Sequence, residues 1–207
     1  MKVLLINGSP NAHGCTYTGL SEIAQTLQEE GVQAEIIQLG KKPISGCIAC
    51  FKCRETQRCA IKDKVNDFLD MAREADGFVF GSPVHYAAAS GALTSFMDRA
   101  FFAAAKEVFH LKPGTAIVSA RRGGCASAFD QINKYFTISQ MPVISGSYWN
   151  MIHGWTPDDV RKDEEGLLNM RVLARNMAWF LRCKEAGAKA GIALPVQEER
   201  VMTNFIQ

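Results

Sequence analysis

Met1–Thr18, MKVLLINGSPNAHGCTYT, decides how the rest of the chain reads. Val3, Leu4, Leu5 and Ile6 form an unbroken apolar run with no charge inside it. Such a run suits a strand covered on both faces, as in a parallel sheet. Asn7, Gly8, Ser9 and Pro10 follow as a turn cluster, then Gly14 and the hydroxyls of Thr16 and Thr18. From Gly19 to Glu30 the apolar positions take helical spacing, at Leu20, Ile23, Ala24 and Leu27. Strand, small-residue loop and helix start together present unpaired backbone N–H groups to an anion.

The loop narrows the choice of anion. A Walker A loop needs GxxxxGK[ST], but Gly8 and Gly14 stand one residue too far apart and Cys15 replaces the lysine. GxGxxG is absent, so a standard dinucleotide fingerprint is not supported. Hydroxyls and backbone N–H groups with no Lys or Arg suit a single phosphate monoester; the plainer alternative is an ordinary strand–helix turn.

At 207 residues the chain fits one domain, residues 1–207, with a full core. A net charge of +2 gives no case for nucleic acid, and no apolar stretch reaches membrane-spanning length. The basic-then-apolar start is too short for a secretion signal and turns into Gly-Ser-Pro, so a cytoplasmic location is expected. The seven cysteines are odd in number, and four fall between residues 47 and 59. They read as ligands or redox groups rather than a disulfide framework.

Beyond the first helix, strands are expected at Gln33–Leu39, Gly77–Gly81, Thr115–Ser119 and Met141–Ser145. Helices are expected at Val65–Ala75, Ala92–Lys106, Ala126–Gln140 and Glu164–Ala186. A cysteine-rich loop is inserted at residues 43–60; Ser147–Asp163 reads as a connection, and residues 164–207 as a closing helix and tail. This alternation predicts an α/β fold, a doubly wound five-stranded parallel sheet of order 2-1-3-4-5 in a three-layer sandwich. Its ligand crevice lies beyond the carboxyl ends of the strands at the switch point. The loops Ser9–Thr16, Ser82–Ala89 and Ser119–Gly124 should converge there. The second brings Pro83, Val84, His85 and Tyr86; the third brings glycines and two cations, Arg121 and Arg122. Together they suit a flat redox-active ring, with an apolar wall on one side and N–H groups and positive charge on the other. Taken singly, each reads more simply as a surface turn or a solvated charge; it is the three together that point to a ligand.

The stretches GSPNAHGCT, SPVHYAAASGALTSFMDR (Ser82–Arg99) and SARRGG (Ser119–Gly124) resemble the flavodoxin-like NADPH-dependent FMN reductases, and the resemblance runs from Met1 to about the closing helix. It implies a flavodoxin-like fold holding FMN, with Ser9, Asn11, Gly14, Cys15 and Thr16 around the phosphate. Pro83, Val84, His85, Tyr86, Ser119, Arg121, Arg122, Gly123 and Gly124 would then surround the ring. The family's loop resembles SPRxxGNT, so Asn11 and Cys15 are departures, as is His13 in place of a small or polar residue.

Cys47-x2-Cys50-x2-Cys53-x5-Cys59 is the sharpest chemical pattern. Thiolates three apart on one loop can close around a [4Fe–4S] cubane. Unmetallated thiols, zinc and a regulatory disulfide are the alternatives. The motif also resembles that of the iron–sulfur flavoproteins, which implies such a cluster exchanging electrons with FMN, in a homodimer or homotetramer with flavin sites near subunit contacts. Cys125 and Cys183 read as core thiols, and Asp98-Arg99 as a local ion pair. Phe96, Phe101, Phe102 and Phe109 read as core or subunit interface. Tyr148, Trp149, His153 and Trp155 read as a wall of the flavin or substrate pocket, as an oligomer contact, or as packing beneath the last helix.

The expected activity is an FMN oxidoreductase taking hydride from NAD(P)H and passing electrons to a flavin, quinone or similar small acceptor, with no side chain required as acid or base. A second expectation is an electron carrier linking a [4Fe–4S] cluster, FMN and a ferredoxin-like partner. A third is a cysteine-based redox sensor.

Overall fold

The structure is a computed structural model and describes residues 1–199 and 201–205. In chain order its first half comprises β1 (Lys2–Asn7), α1 (Cys15–Glu29), β2 (Gln33–Gln38), α2 (Cys53–Thr56), α3 (Lys64–Arg73), β3 (Gly77–His85) and β4 (Ala88–Ala89). Then come α4 (Gly91–Ala104), a wider π-helical turn (Ala105–Phe109), β5 (Gly114–Ala120), α5 (Cys125–Ile138), β6 (Met151–His153), α6 (Pro157–Val160) and α7 (Glu164–Lys189).

The opening apolar run forms β1, and its alternate side chains enter two different cores. Leu4 and Ile6 join Phe78, Phe80, Ala116 and Val118 on one face of the sheet; Val3 and Leu5 join Val79, Ile117 and Ile152 on the other. Because both faces are covered, the strand reads as continuously apolar rather than alternating. Parallel strands run in the order β2-β1-β3-β5-β6, with β4 antiparallel on the tip of β3. This is the expected 2-1-3-4-5 order. Helices α1 and α7 cover one face through Leu20, Ile23, Leu27, Met170, Leu173 and Met177. The other face is dominated by phenylalanines from α3, α4 and α5; Phe101 and Phe109 stack 4.1 Å apart, tilted by only 6°. Each such ring removed from water contributes about 1.5–3 kcal/mol.

Three expectations are corrected. The last strand does not lie at Met141–Ser145, where only an isolated bridge between Gly114 and Val143 forms. Pro142 has no N–H to extend a ladder, and the chain then swings out through residues 146–149. It returns as β6 where the backbone N–H of Val118 donates to the carbonyl of Asn150. The amide of Asn150 also donates to Thr115 Oγ1 and to the Ala116 carbonyl. Helix α1 begins at Cys15 rather than Gly19, because Gly14 is extended and starts the helix directly at the loop. Cys183 is exposed on α7, whereas Cys125 is in the core as expected. Among the described residues no helix is long and apolar enough to cross a membrane.

Candidate functional site

The loops after β1, β3 and β5 meet at one rim, held by hydrogen bonds between segments far apart in sequence. The N–H of Gly8 donates to the Gly81 carbonyl at 2.8 Å, and the Ser90 hydroxyl donates to the Gly8 carbonyl at 2.9 Å. A Cβ on residue 8 would lie 2.8 Å from that of Leu93 and 2.9 Å from the Gly81 carbonyl, so only glycine fits this crossing. Thr16 and Ser119 share a 2.8 Å hydroxyl–hydroxyl bond, joining the first loop to the third. Gly124 stands at φ +91°, and a Cβ there would lie 2.8 Å from the Cα of Ala87, joining the third loop to the second. On the remaining side, Gly154 N–H donates to the Ala120 carbonyl and His153 Nε2 lies 3.9 Å from Cys125 Sγ.

Two helices open onto this rim with bare N-termini. Neither α1 nor α5 has a side-chain cap or an acidic residue in its first turn. Among the described residues the N–H groups of Cys15, Thr16 and Tyr17 at α1 have no carbonyl partner, and those of Cys125, Ala126 and Ser127 at α5 are placed alike. Their dipoles favour negative charge at the rim. Burial pushes the Cys15 thiol up, which keeps it neutral beside that field.

The individual residues divide by exposure. Thr16 and Ser119 are 1 % and 5 % exposed and turned toward one another. Ser9 is buried, and its hydroxyl accepts from the N–H of Asn11. Asn11, His85, Tyr86, Arg121, Arg122 and Gly123 are exposed, while Gly14, Cys15, Pro83, Val84 and Gly124 are half-buried. Tyr86 sits at φ 51° on the turn between β3 and β4 with its ring in solvent. Among the described residues neither arginine of the third loop has an ion-pair partner, so both remain available to an anion. Two further residues, neither of them among the expected contacts, shape the first loop. Buried Asn7 accepts from the N–H of Ser9, and Gln38 donates to the Ser9 carbonyl at 2.7 Å.

The cysteine loop forms a second pocket, against α4. Cys47, Cys50, Cys53 and Cys59 all line it, together with Phe51 and Phe102. Ala49 and Phe51, on either side of Cys50, and Gln57, between Cys53 and Cys59, all have left-handed backbone. Non-glycine residues held there cost about 1–3 kcal/mol each, strain that the surroundings must impose. Burial, and then the neighbouring thiols, push Cys53 up. No group of three or more His, Cys, Asp or Glu side chains among the described residues is drawn into metal-holding geometry.

Beneath the loop lies a residue the sequence reading misjudged. Arg99 is not paired with Asp98: it is 2 % exposed and forks onto Asp63 at 2.7 and 2.8 Å, while Asp98 accepts from Tyr135. Burial raises the Asp63 carboxyl, but the Arg99 fork and the Val65 N–H outweigh it and hold the group below its ordinary value. The rim and this pocket are joined by α4, whose cap Ser90 belongs to the first and Arg99 to the second. Nine residues of helix put them about 14 Å apart along the axis.

The side-chain chemistry of each site suits the group the sequence suggested, although the four thiols are not gathered to ligating distance. A rim with two open helix N-termini, unpaired cations and close-approach glycines suits an anionic tail and a flat ring. Four thiols on one pocket are the donor set of an iron–sulfur cluster. Tyr148, Trp149 and Trp155 are exposed rather than packed under α7, and the first two, with His153 and Asp163, line a further pocket beside β6.

The family model described as NADPH-dependent FMN reductase matches residues 1–156. An iron–sulfur flavoprotein of Methanocaldococcus jannaschii is 34% identical over 185 residues, covering 86% of this chain and 96% of its own. One from Archaeoglobus fulgidus is 31% identical over 190 residues, covering 87% and 97%. Among solved structures, a flavone reductase superposes with a TM-score of 0.69 at 19% identity, covering 89% of this chain and 64% of that one. An archaeal flavodoxin does so at 0.59 and 18%, covering 88% and 99%. These two superpositions speak to the fold alone.

Proposed function

The chain belongs to the NADPH-dependent FMN reductase family, and from that premise we propose that it is an FMN oxidoreductase working as an iron–sulfur flavoprotein. Its function would be to carry electrons between a [4Fe–4S] cluster on Cys47, Cys50, Cys53 and Cys59 and an FMN at the rim. The observation that carries the reading is the presence, on one helix, of both a rim suited to a mononucleotide and a pocket lined by four thiols. When bound, FMN supplies one- and two-electron chemistry and the cluster one-electron chemistry.

The chain's residues hold and tune. The open amides of Cys15, Thr16 and Tyr17, with Ser9, Asn11 and Gly14 shaping the loop beside them, would receive the phosphate at the start of α1. Pro83, Val84, His85 and Tyr86 would wall one side of the ring. Ser119 anchors the third loop, and Arg121, Arg122, Gly123 and Gly124 bring N–H groups and positive charge toward the atoms that become anionic on reduction. The donor is read from the cysteine loop's surface. Residues 41–64 carry seven basic and two acidic side chains, an excess larger than the +2 of the whole chain. That collar suits an acidic, ferredoxin-like protein. The relatives' naming supports the cluster, and a homodimer or homotetramer in the cytoplasm completes the proposal.

A second reading, hydride transfer from NAD(P)H to FMN and on to a flavin or quinone, is favoured by Tyr86. Its ring is fully exposed and would be free to meet a second planar molecule. An anaerobic visible spectrum with iron and sulfide assays separates the two. The proposal expects flavin bands plus an iron–sulfur shoulder, with reduction by a low-potential ferredoxin. Flavin without iron, bleached by NAD(P)H and untouched by ferredoxin, would establish the reductase in its place.

A further inference from the structure

We infer that Arg99 is a positioning residue for the cysteine pocket, donating to the Cys59 sulfur and thereby raising the reduction potential of the group the thiols hold. The inference rests on the cluster reading above and extends it to a residue outside the four ligands. Arg99 is the only charged side chain among the described residues lining the pocket, and its side chain is wholly removed from solvent. Nε–H points at Cys59 Sγ, 3.1 Å away. Nη1 donates to Asp63 Oδ2 and to the Ser45 carbonyl, and Nη2 to Asp63 Oδ1 and to the Ile61 carbonyl. The guanidinium therefore grips the chain on both sides of the motif, at Ser45 before it and at Ile61 and Asp63 after it.

Why arginine serves here follows from its shape. The planar fork satisfies Asp63 bidentately while leaving Nε–H free at a fixed angle for sulfur; a lysine, as a point charge, cannot do both. Four thiolates around a cluster leave net negative charge in a pocket whose other lining is apolar or thiol. An N–H donor and a buried cation beside one sulfur stabilise the reduced, more negative state over the oxidised one. Asp63 in turn keeps Arg99 charged and oriented, but no contact places it on a sulfur.

The test uses the full-length protein, purified anaerobically with its cluster and titrated by EPR. Arg99→Lys should retain iron, yet show a reduced-to-oxidised ratio about tenfold lower at a fixed solution potential. Asp63→Asn loosens the loop while leaving the donor on sulfur, so it should leave that ratio within about twofold of the parent or raise it. Arg99→Lys with an unchanged ratio, or equal losses in both variants, would overturn the inference. If the variants do not fold, resonance Raman of the unsubstituted protein decides: exchange into D2O should shift an iron–thiolate stretch, and no shift refutes the hydrogen bond. Unsubstituted protein without iron would defeat the cluster reading and this inference together, whereas an iron-replete protein failing the variant or isotope test defeats the inference alone.

Discussion

Gly124 shows how much one residue decides. At φ +91°, with a neighbouring Cα 2.8 Å from where a Cβ would stand, it alone permits the third loop to lie against the second. Replacing it with alanine forces strain and a clash together. Gly124→Ala should lower stability by about 1–2 kcal/mol and weaken FMN binding more than it changes the fold. A melting curve and a fluorescence titration with FMN check the two effects separately. Thr16 and Ser119 carry the opposite lesson. The residue type of Thr16 suggests a hydroxyl offered to phosphate, and the resemblance sets Ser119 beside the ring; in the structure the two hydroxyls are 2.8 Å apart and buried. The residue type was legible in the sequence; the direction of the hydroxyl was not, because its partner lies 103 positions away.

At the scale of elements, the buried Arg99–Asp63 pair ties the cysteine loop to both α3 and α4, beside an exposed pair between Arg58 of the loop and Asp70 of α3. Asp63 also caps α3, accepting from the N–H of Val65. Its carboxyl is held below the ordinary value in the folded state, so its contribution is present above the normal aspartate pKa. That contribution is lost as pH falls through the lowered, folded-state value. Hydrogen-exchange protection factors of residues 45–63, corrected for the pH dependence of intrinsic exchange, should therefore fall on acidification before those of the β1 and β5 amides. In Asp63→Asn protection of the loop should be low at all pH values. The same scale explains the misplaced last strand. Apolar residues at Met141–Ser145 suggest a strand, but Pro142 interrupts the donor row, and the edge is taken by a three-residue segment too short to show a period.

In the whole molecule, α4 separates two sites while reaching both, through Ser90 at one end and Arg99 along its length. FMN binding depends on the rim and cluster assembly on the cysteine loop, so the two should come apart by mutation. Cys50→Ala should abolish iron content while leaving FMN bound, measured by iron assay and flavin absorbance on the same sample. The basic collar of residues 41–64 adds a kinetic expectation. Reduction by an acidic donor should slow several-fold between low and physiological salt, and Lys52→Glu with Arg54→Glu should remove most of that dependence. Stopped-flow traces across a salt series would show it; a flat series would place the donor elsewhere.

The sequence by itself determined the alternation of strands and helices, the loops that end at the switch point and the cysteine spacing. All of these are local: side-chain period and residue type within a short window set them, before distant segments meet. Only the tertiary structure decided what the buried polar groups touch. Arg99 takes Asp63, 36 residues away, rather than its neighbour Asp98, because adjacent helical residues do not face each other and the guanidinium is turned inward beneath the cysteine loop. A buried cation must have partners, and packing of remote segments chooses which groups are within reach.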